Sequence, residues 1–137
     1  DEKGETIIPF LYDYISNSKK DIYFVNLGNK YGVIKKDKAT PLIFDNLISV
    51  SDGEAIIVKK GKKYGLMNSD FELVLPIAFD EINFSRTKEF SLIVNNKKIF
   101  SFTINFYKNN DDENKNTIID NKTLKAIIVS VFEELNA

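Results

Sequence analysis

The chain repeats itself. Proline occurs three times in 137 residues, in Ile8-Pro9-Phe10-Leu11-Tyr12-Asp13, Thr40-Pro41-Leu42-Ile43-Phe44-Asp45 and Leu75-Pro76-Ile77-Ala78-Phe79-Asp80. Successive prolines stand 32 and 35 residues apart, and the aspartates keep the same steps, each behind an aromatic. A second element holds phase with the first, as Asn29-Lys30-Tyr31-Gly32-Val33-Ile34 and Lys62-Lys63-Tyr64-Gly65-Leu66-Met67. A period of this length restricts the chain to small supersecondary units that stack to bury a shared core.

The local chemistry is that of short strands. Proline cannot donate to a β-ladder, so it is expected at the first residue of a strand or on an edge. Asp bonds readily to its own following backbone and is expected to end that strand in a turn. Between the proline motifs lie apolar, β-branched and aromatic runs on both sides of a turn, at Gly28, Gly61 and Asn95-Asn96. Gly28, Gly61 and Asn96 read as one register, because Asn is the best substitute for Gly where φ is positive.

The predicted fold is mostly β. It is a single domain over 1–137, an antiparallel β repeat of about three units of roughly 33 residues and three strands each, at about 5–38, 39–72 and 73–107. The third unit decays, with Ile99-Phe100 where the others have Tyr-Gly. Residues 108–117 are uniformly polar and read as a loop. Leu124, Ile127, Ile128, Val131, Phe132 and Leu135 then recur at helical spacing, which predicts an amphipathic helix over about 121–136 capped by Asp120 or Asn121. It is expected to bury Leu124, Ile128, Val131 and Phe132, and its removal to be severely destabilising. A degenerate fourth repeat is the alternative, since Ile118-Ile119-Asp120-Asn121 echoes Ile43-Phe44-Asp45-Asn46.

These motifs resemble the bacterial WG-repeat (KWG) family, whose units pair a G-K-W-G hairpin with a V-I-P-x-x-Y-D-x-I segment. Gly61-Lys62-Lys63-Tyr64-Gly65 and Val74 to Ile82 carry the resemblance best, and Gly28 to Gly32 with Ile8 to Asp13 carry it next. It covers residues 5–105, with Tyr in place of the namesake Trp. The resemblance implies a β-rich repeat and no catalytic residues.

The residue inventory excludes much chemistry. There is no Cys and no His, which removes thiolate catalysis and the most common general base and metal ligand. A formal net charge of −1 argues against a nucleic-acid or anionic-membrane binder. No run of apolar residues is long enough to span a membrane. The sequence opens on Asp1 without a signal peptide, and an initiator Met, a tag, a leader or a larger upstream region are the alternatives for what was removed. The chain reads as a soluble domain, cytoplasmic if an immunity protein and periplasmic or cell-surface if a leader has been removed.

Candidate sites are correspondingly few. Asp13, Asp45 and Asp80 share a phase that would suit a cation, but stacking separates them, so each reads as a turn former and no metal is expected. Tyr31 and Tyr64 read as packing residues, with Gly32 and Gly65 giving clearance to a neighbouring backbone. The candidate partner-binding residues are Lys59, Lys60, Lys62, Lys63, Arg86, Lys88, Asp111, Asp112 and Glu113. The lysines protect hairpin edges or form a basic ridge for an acidic partner. No cofactor is expected. The expected function is non-catalytic binding of a protein partner, in its narrowest form as a toxin-neutralising immunity protein. The alternatives are a piece of a cell-surface or periplasmic repeat protein and, in a different class, a carbohydrate-acting enzyme built on a carboxylate pair.

Overall fold

The computed structural model describes residues 12–19, 22–35, 38–50, 54–103 and 118–137. Within them lie three antiparallel sheets and one helix. The first sheet is β1 (Tyr14–Lys19), β2 (Ile22–Leu27), β3 (Lys30–Lys35) and β4 (Lys38–Ala39). The second is β5 (Asn46–Val50), β6 (Ala55–Lys60), β7 (Lys63–Asn68) and β8 (Leu73–Phe79). The third is β9 (Glu81–Phe84), β10 (Glu89–Val94) and β11 (Lys97–Thr103), and α1 (Asn121–Leu135) follows. The fold is the expected mostly β repeat with a C-terminal helix. The first proline motif up to Leu11, and the polar segment with Asp111, Asp112 and Glu113, lie outside the described residues.

The units are phased differently from the expectation. Each sheet opens on the residue after a motif aspartate, at Tyr14, Asn46 and Glu81. The proline segment therefore closes the sheet before it, and the first two sheets gain a fourth strand. Pro76 sits inside β8 rather than at its start. It is tolerated because the ladder bulges there: Tyr64 pairs with Phe79 and Leu66 with Leu75, so Pro76, Ile77 and Ala78 together face Gly65. A bulge is a place in a sheet where a missing N–H costs little. At the first joint, Thr40 N–H donates to Val33 O at 2.9 Å, and Tyr31 and Phe44 form a bridge beyond Pro41.

The third hairpin turn also shifts by one residue. Leu27 pairs with Lys30, Lys60 with Lys63 and Val94 with Lys97, leaving the two-residue loops Gly28-Asn29, Gly61-Lys62 and Asn95-Asn96. Asn95, not Asn96, is the counterpart of the glycines. Their φ values are 66°, 66° and 55°. Asn96 is positive as well, at 64°, so that loop has the pattern of a type I′ turn while the glycine loops need only one left-handed residue.

The two central strands of the middle sheet, β6 and β7, are buried on both faces. Along β6, Ile56 and Val58 join a core with Ile22, Val33, Phe44 and Met67, while Ala55 and Ile57 join a second core with Leu66, Leu75, Phe79 and Phe90. Alternating side chains point to opposite faces of a strand, so Ala55-Ile56-Ile57-Val58 must be apolar throughout. β10, the central strand of the third sheet, instead alternates, burying Phe90, Leu92 and Val94. Phe90 stacks on Phe102 at 5.4 Å and tilts against Phe84 at 4.6 Å.

The helix starts where expected. The Asp120 carboxylate accepts from Thr123 N–H at 2.7 Å, the N-cap geometry that satisfies an orphan donor of the first turn. Its buried face differs from the expectation. Ile127 is buried, and Leu124 and Val131 are half-buried against the core, but Ile128 is 58% and Phe132 67% exposed. Neighbouring residues point about 100° apart around a helix. The helix rests on the third unit through the Ile127 side, which turns Ile128 and Phe132 outward.

Candidate functional site

The repeated aspartates are the polar hardware of the fold. Asp13 Oδ2 accepts from Gly28 N–H at 2.8 Å, Asp45 Oδ2 from Gly61 N–H at 2.6 Å and Asp80 Oδ2 from Asn95 N–H at 2.7 Å. Each aspartate thus ties the first loop residue of the hairpin some fifteen residues later, instead of its own following backbone. Its main-chain N–H binds the same hairpin, donating to Asn26 O, Lys59 O and Ile93 O respectively. The second carboxylate oxygen reaches back. Lys30 Nζ donates to Asp45 Oδ1, and Lys63 Nζ donates to Asp80 Oδ1. One aspartate therefore joins the hairpin of its own sheet to the hairpin of the sheet before. The lysine hydrogen bond, then the turn amide, holds Asp45 and Asp80 below the usual carboxylate range.

The glycine after each Tyr admits the proline segment. A Cβ on Gly65 would lie 2.8 Å from Ile77 Cγ1 and 3.0 Å from Leu75 O. On Gly32 it would lie 3.1 Å from Pro41 O and 3.2 Å from Thr40 O. Tyr31 and Tyr64 are half-buried against the two cores, as packing residues, and Lys59 Nζ stands 5.7 Å above the Tyr64 ring. The three motif aspartates do not converge, and the described residues contain no cluster of three acidic, His or Cys side chains able to hold a metal.

The candidate lysines divide accordingly. Lys63 is engaged by Asp80 and Lys59 by the Tyr64 ring, while Lys60 and Lys62 are exposed beside the turn. Arg86 and Lys88 are exposed on the β9–β10 loop of the next sheet. At the equivalent hairpin positions Lys30, Lys63 and Lys97 each meet a carboxylate, so one lysine of each hairpin is committed to an ion pair within the fold.

One surface feature of the described residues was missed from the sequence. Between β8 and α1 lies an apolar groove of about 460 Å³, lined among others by Val74, Pro76, Ala78, Ile128, Phe132 and Leu135. Leu135 is 65% exposed. The signal was present: Ile127, Ile128 and Val129 in succession, with Phe132 and Leu135, make an apolar face wider than one contact needs. No helix among the described residues is long and apolar enough to cross a membrane.

Comparison with known proteins finds the repeat in two stretches of the chain. The family model described as WG containing repeat matches residues 1–31 and 64–98. Each matched stretch contains a proline motif and the hairpin turn its aspartate ties, and ends just inside the strand that follows the turn. No curated protein and no solved structure matches. Two stretches of the chain, residues 1–31 and 64–98, thus match the WG-containing repeat, and Tyr31 and Tyr64 stand where the sequence resemblance places the namesake tryptophan.

Proposed function

We propose that this repeat domain is a non-catalytic protein-binding module whose docking surface is the groove between β8 and α1. The observation that carries this reading is the exposure of Ile128, Phe132 and Leu135 beside a concave apolar lining. A contiguous apolar patch rimmed by polar residues is the common mark of a protein interface. The polar side chains support the same reading. Asp45 and Asp80 are held as carboxylates by lysines and turn amides, which commits the repeated acids to the frame rather than to proton transfer.

In the narrowest form of this proposal the partner is a toxin domain that the module neutralises. Affinity capture from the native host tests it, with Phe132→Asp and Lys60→Glu/Lys62→Glu as paired baits. The proposal expects a stoichiometric protein partner that the groove variant loses and the lysine variant keeps. A partner retained by Phe132→Asp overturns the assignment of the surface. For the toxin form, coexpression with the captured domain must restore growth to poisoned cells, and continued poisoning overturns that form.

A further inference from the structure

We infer that the outward face of the first sheet is an open repeat joint, and that its occupant is a further repeat unit whose hairpin lysine meets Asp13. This surface is separate from the groove, and the inference stands or falls independently of it.

The two joints within the chain show what such a face receives. Leu47, the second residue of β5, shares a core with Ile22 and Val33 of the sheet before it. Ile82, the second residue of β9, shares the other core with Leu66 and Leu75 of the sheet before it. They are 8% and 3% exposed, whereas Ile15, the second residue of β1, is 40% exposed. All three strands lie at a sheet edge, so edge position does not account for the difference. What differs is that no sheet precedes β1 among the described residues. Val25, opposite Ile15, is buried, and Leu27, on the same side of β2 and next to the turn, is exposed. The open part of the face is therefore its turn end.

The polar contact is half made at the same end. Asp45 and Asp80 each give one carboxylate oxygen to a turn amide and the other to the lysine of the preceding hairpin. Asp13 Oδ2 holds the Gly28 amide in the same way, but no lysine among the described residues meets its Oδ1. An exposed carboxylate beside Ile15 and Leu27 is thus complementary to a hairpin that offers a lysine at its rim and an apolar face behind it, as the first two hairpins do for the sheets that follow them. Asp13 also ends a proline motif of the same form as those that end in Asp45 and Asp80. A second copy of this chain has no such lysine to spare, because its Lys30, Lys63 and Lys97 are taken by Asp45, Asp80 and Glu134. The occupant is therefore a repeat hairpin other than these three. Stacked repeats interact through nearest-neighbour interfaces, so one more unit needs no change in the rest of the chain.

Urea unfolding of the full chain, beside an extended chain in which residues 14–45 occur twice in succession, tests this. In the extended chain the inner Tyr14 follows an Asp45 whose lysine belongs to the added hairpin. The expected result is one cooperative transition with an m-value larger by about a quarter, in proportion to the added period of 32 residues. Ile15→Asp in the inner copy should lower the urea midpoint. The same change in the outer copy, or in the unextended chain, should leave the midpoint unchanged, as substitutions at exposed positions do. An added unit that unfolds in a transition of its own, or an m-value equal to that of the unextended chain, overturns the inference. So does an equal response of the two copies to Ile15→Asp. A midpoint lowered by Ile15→Asp in the unextended chain shows that the face is already occupied, and overturns it as well.

Discussion

Gly65 and Phe100 occupy corresponding places in successive hairpins: Gly65 lies opposite Val58, two pairs from its turn, and Phe100 lies opposite Leu92. The contrast follows from what each must receive. Against Gly65 comes β8, so close that a single Cβ would strike Ile77 and Leu75. Among the described residues, what packs on the third hairpin is α1, in contact with β11. A helix keeps a wider distance than a hydrogen-bonded strand, because its side chains hold its backbone away. The glycine loses its purpose there, and an aromatic that fills the gap takes its place. The register bends to match: Lys98 pairs with Ile93, where the earlier hairpins have Tyr, and Ile99 is the extra residue of a bulge.

The polar staples show the same substitution. Lys30 meets Asp45 and Lys63 meets Asp80, each the aspartate that opens the next sheet. Lys97, the third in the series, meets Glu134 of the helix at 3.6 Å, and Asn95 Nδ2 donates to the same carboxylate. Glu134 thus does for the last hairpin what a following aspartate does for the first two. The echo of the proline motif at Ile118-Ile119-Asp120 survives in part. Ile119 is buried like Phe44 and Phe79, but Asp120 caps a helix rather than a hairpin.

The two kinds of joint should fail differently. The largest effect is expected at the helix contact. Ile127→Ala should cost about 2–5 kcal/mol in urea unfolding, because it empties the one fully buried position of α1. Phe132→Ala, one turn away, should stay within about 0.5 kcal/mol. Equal losses at the two positions would show that the outward face is also structural.

At the strand joints, Gly65→Ala should cost about 1–3 kcal/mol, since backbone of β8 must move to admit the methyl. Gly32→Ala should cost less, because its closest contacts, at 3.1 and 3.2 Å, demand a smaller shift. A Gly65→Ala protein as stable as wild type would contradict the close approach.

The staples should give the smallest effect at neutral pH and a distinct one in acid. The carboxyls of Asp45 and Asp80 titrate lower in the folded chain than in the unfolded one. Between the two values the unfolded state binds more protons, so stability rises with pH. The staples are therefore fully present above an unfolded carboxyl pKa of about 3.9, and lost as pH falls through the folded value. Asp45→Asn/Asp80→Asn should flatten the acid limb of a urea-midpoint titration between pH 7 and 2. An unchanged limb would show that these carboxylates carry no share of it.

The repeat, the β content, the hairpin turns and the terminal helix were all legible in the residues. Steric demands that act within a few positions produce them. Pro76 needs a place without a ladder bond, the turns need positive φ, and the apolar spacing from Leu124 to Leu135 needs a helix. The clearance at Gly32 and Gly65 was legible for the same reason, as a small residue at one phase of a period.

The partners of those residues were not legible. Asp45 was expected to bind its own turn, and it binds Gly61 and Lys30, 16 and 15 residues away on either side. A carboxylate looks the same in the sequence whichever amide it accepts from, and only the closing of the hairpin against the preceding strand brings those donors within reach. The same holds for the face of α1. Periodicity defines an apolar stripe, but the distance between helix and sheet decides that Ile127 is buried and Ile128 is not.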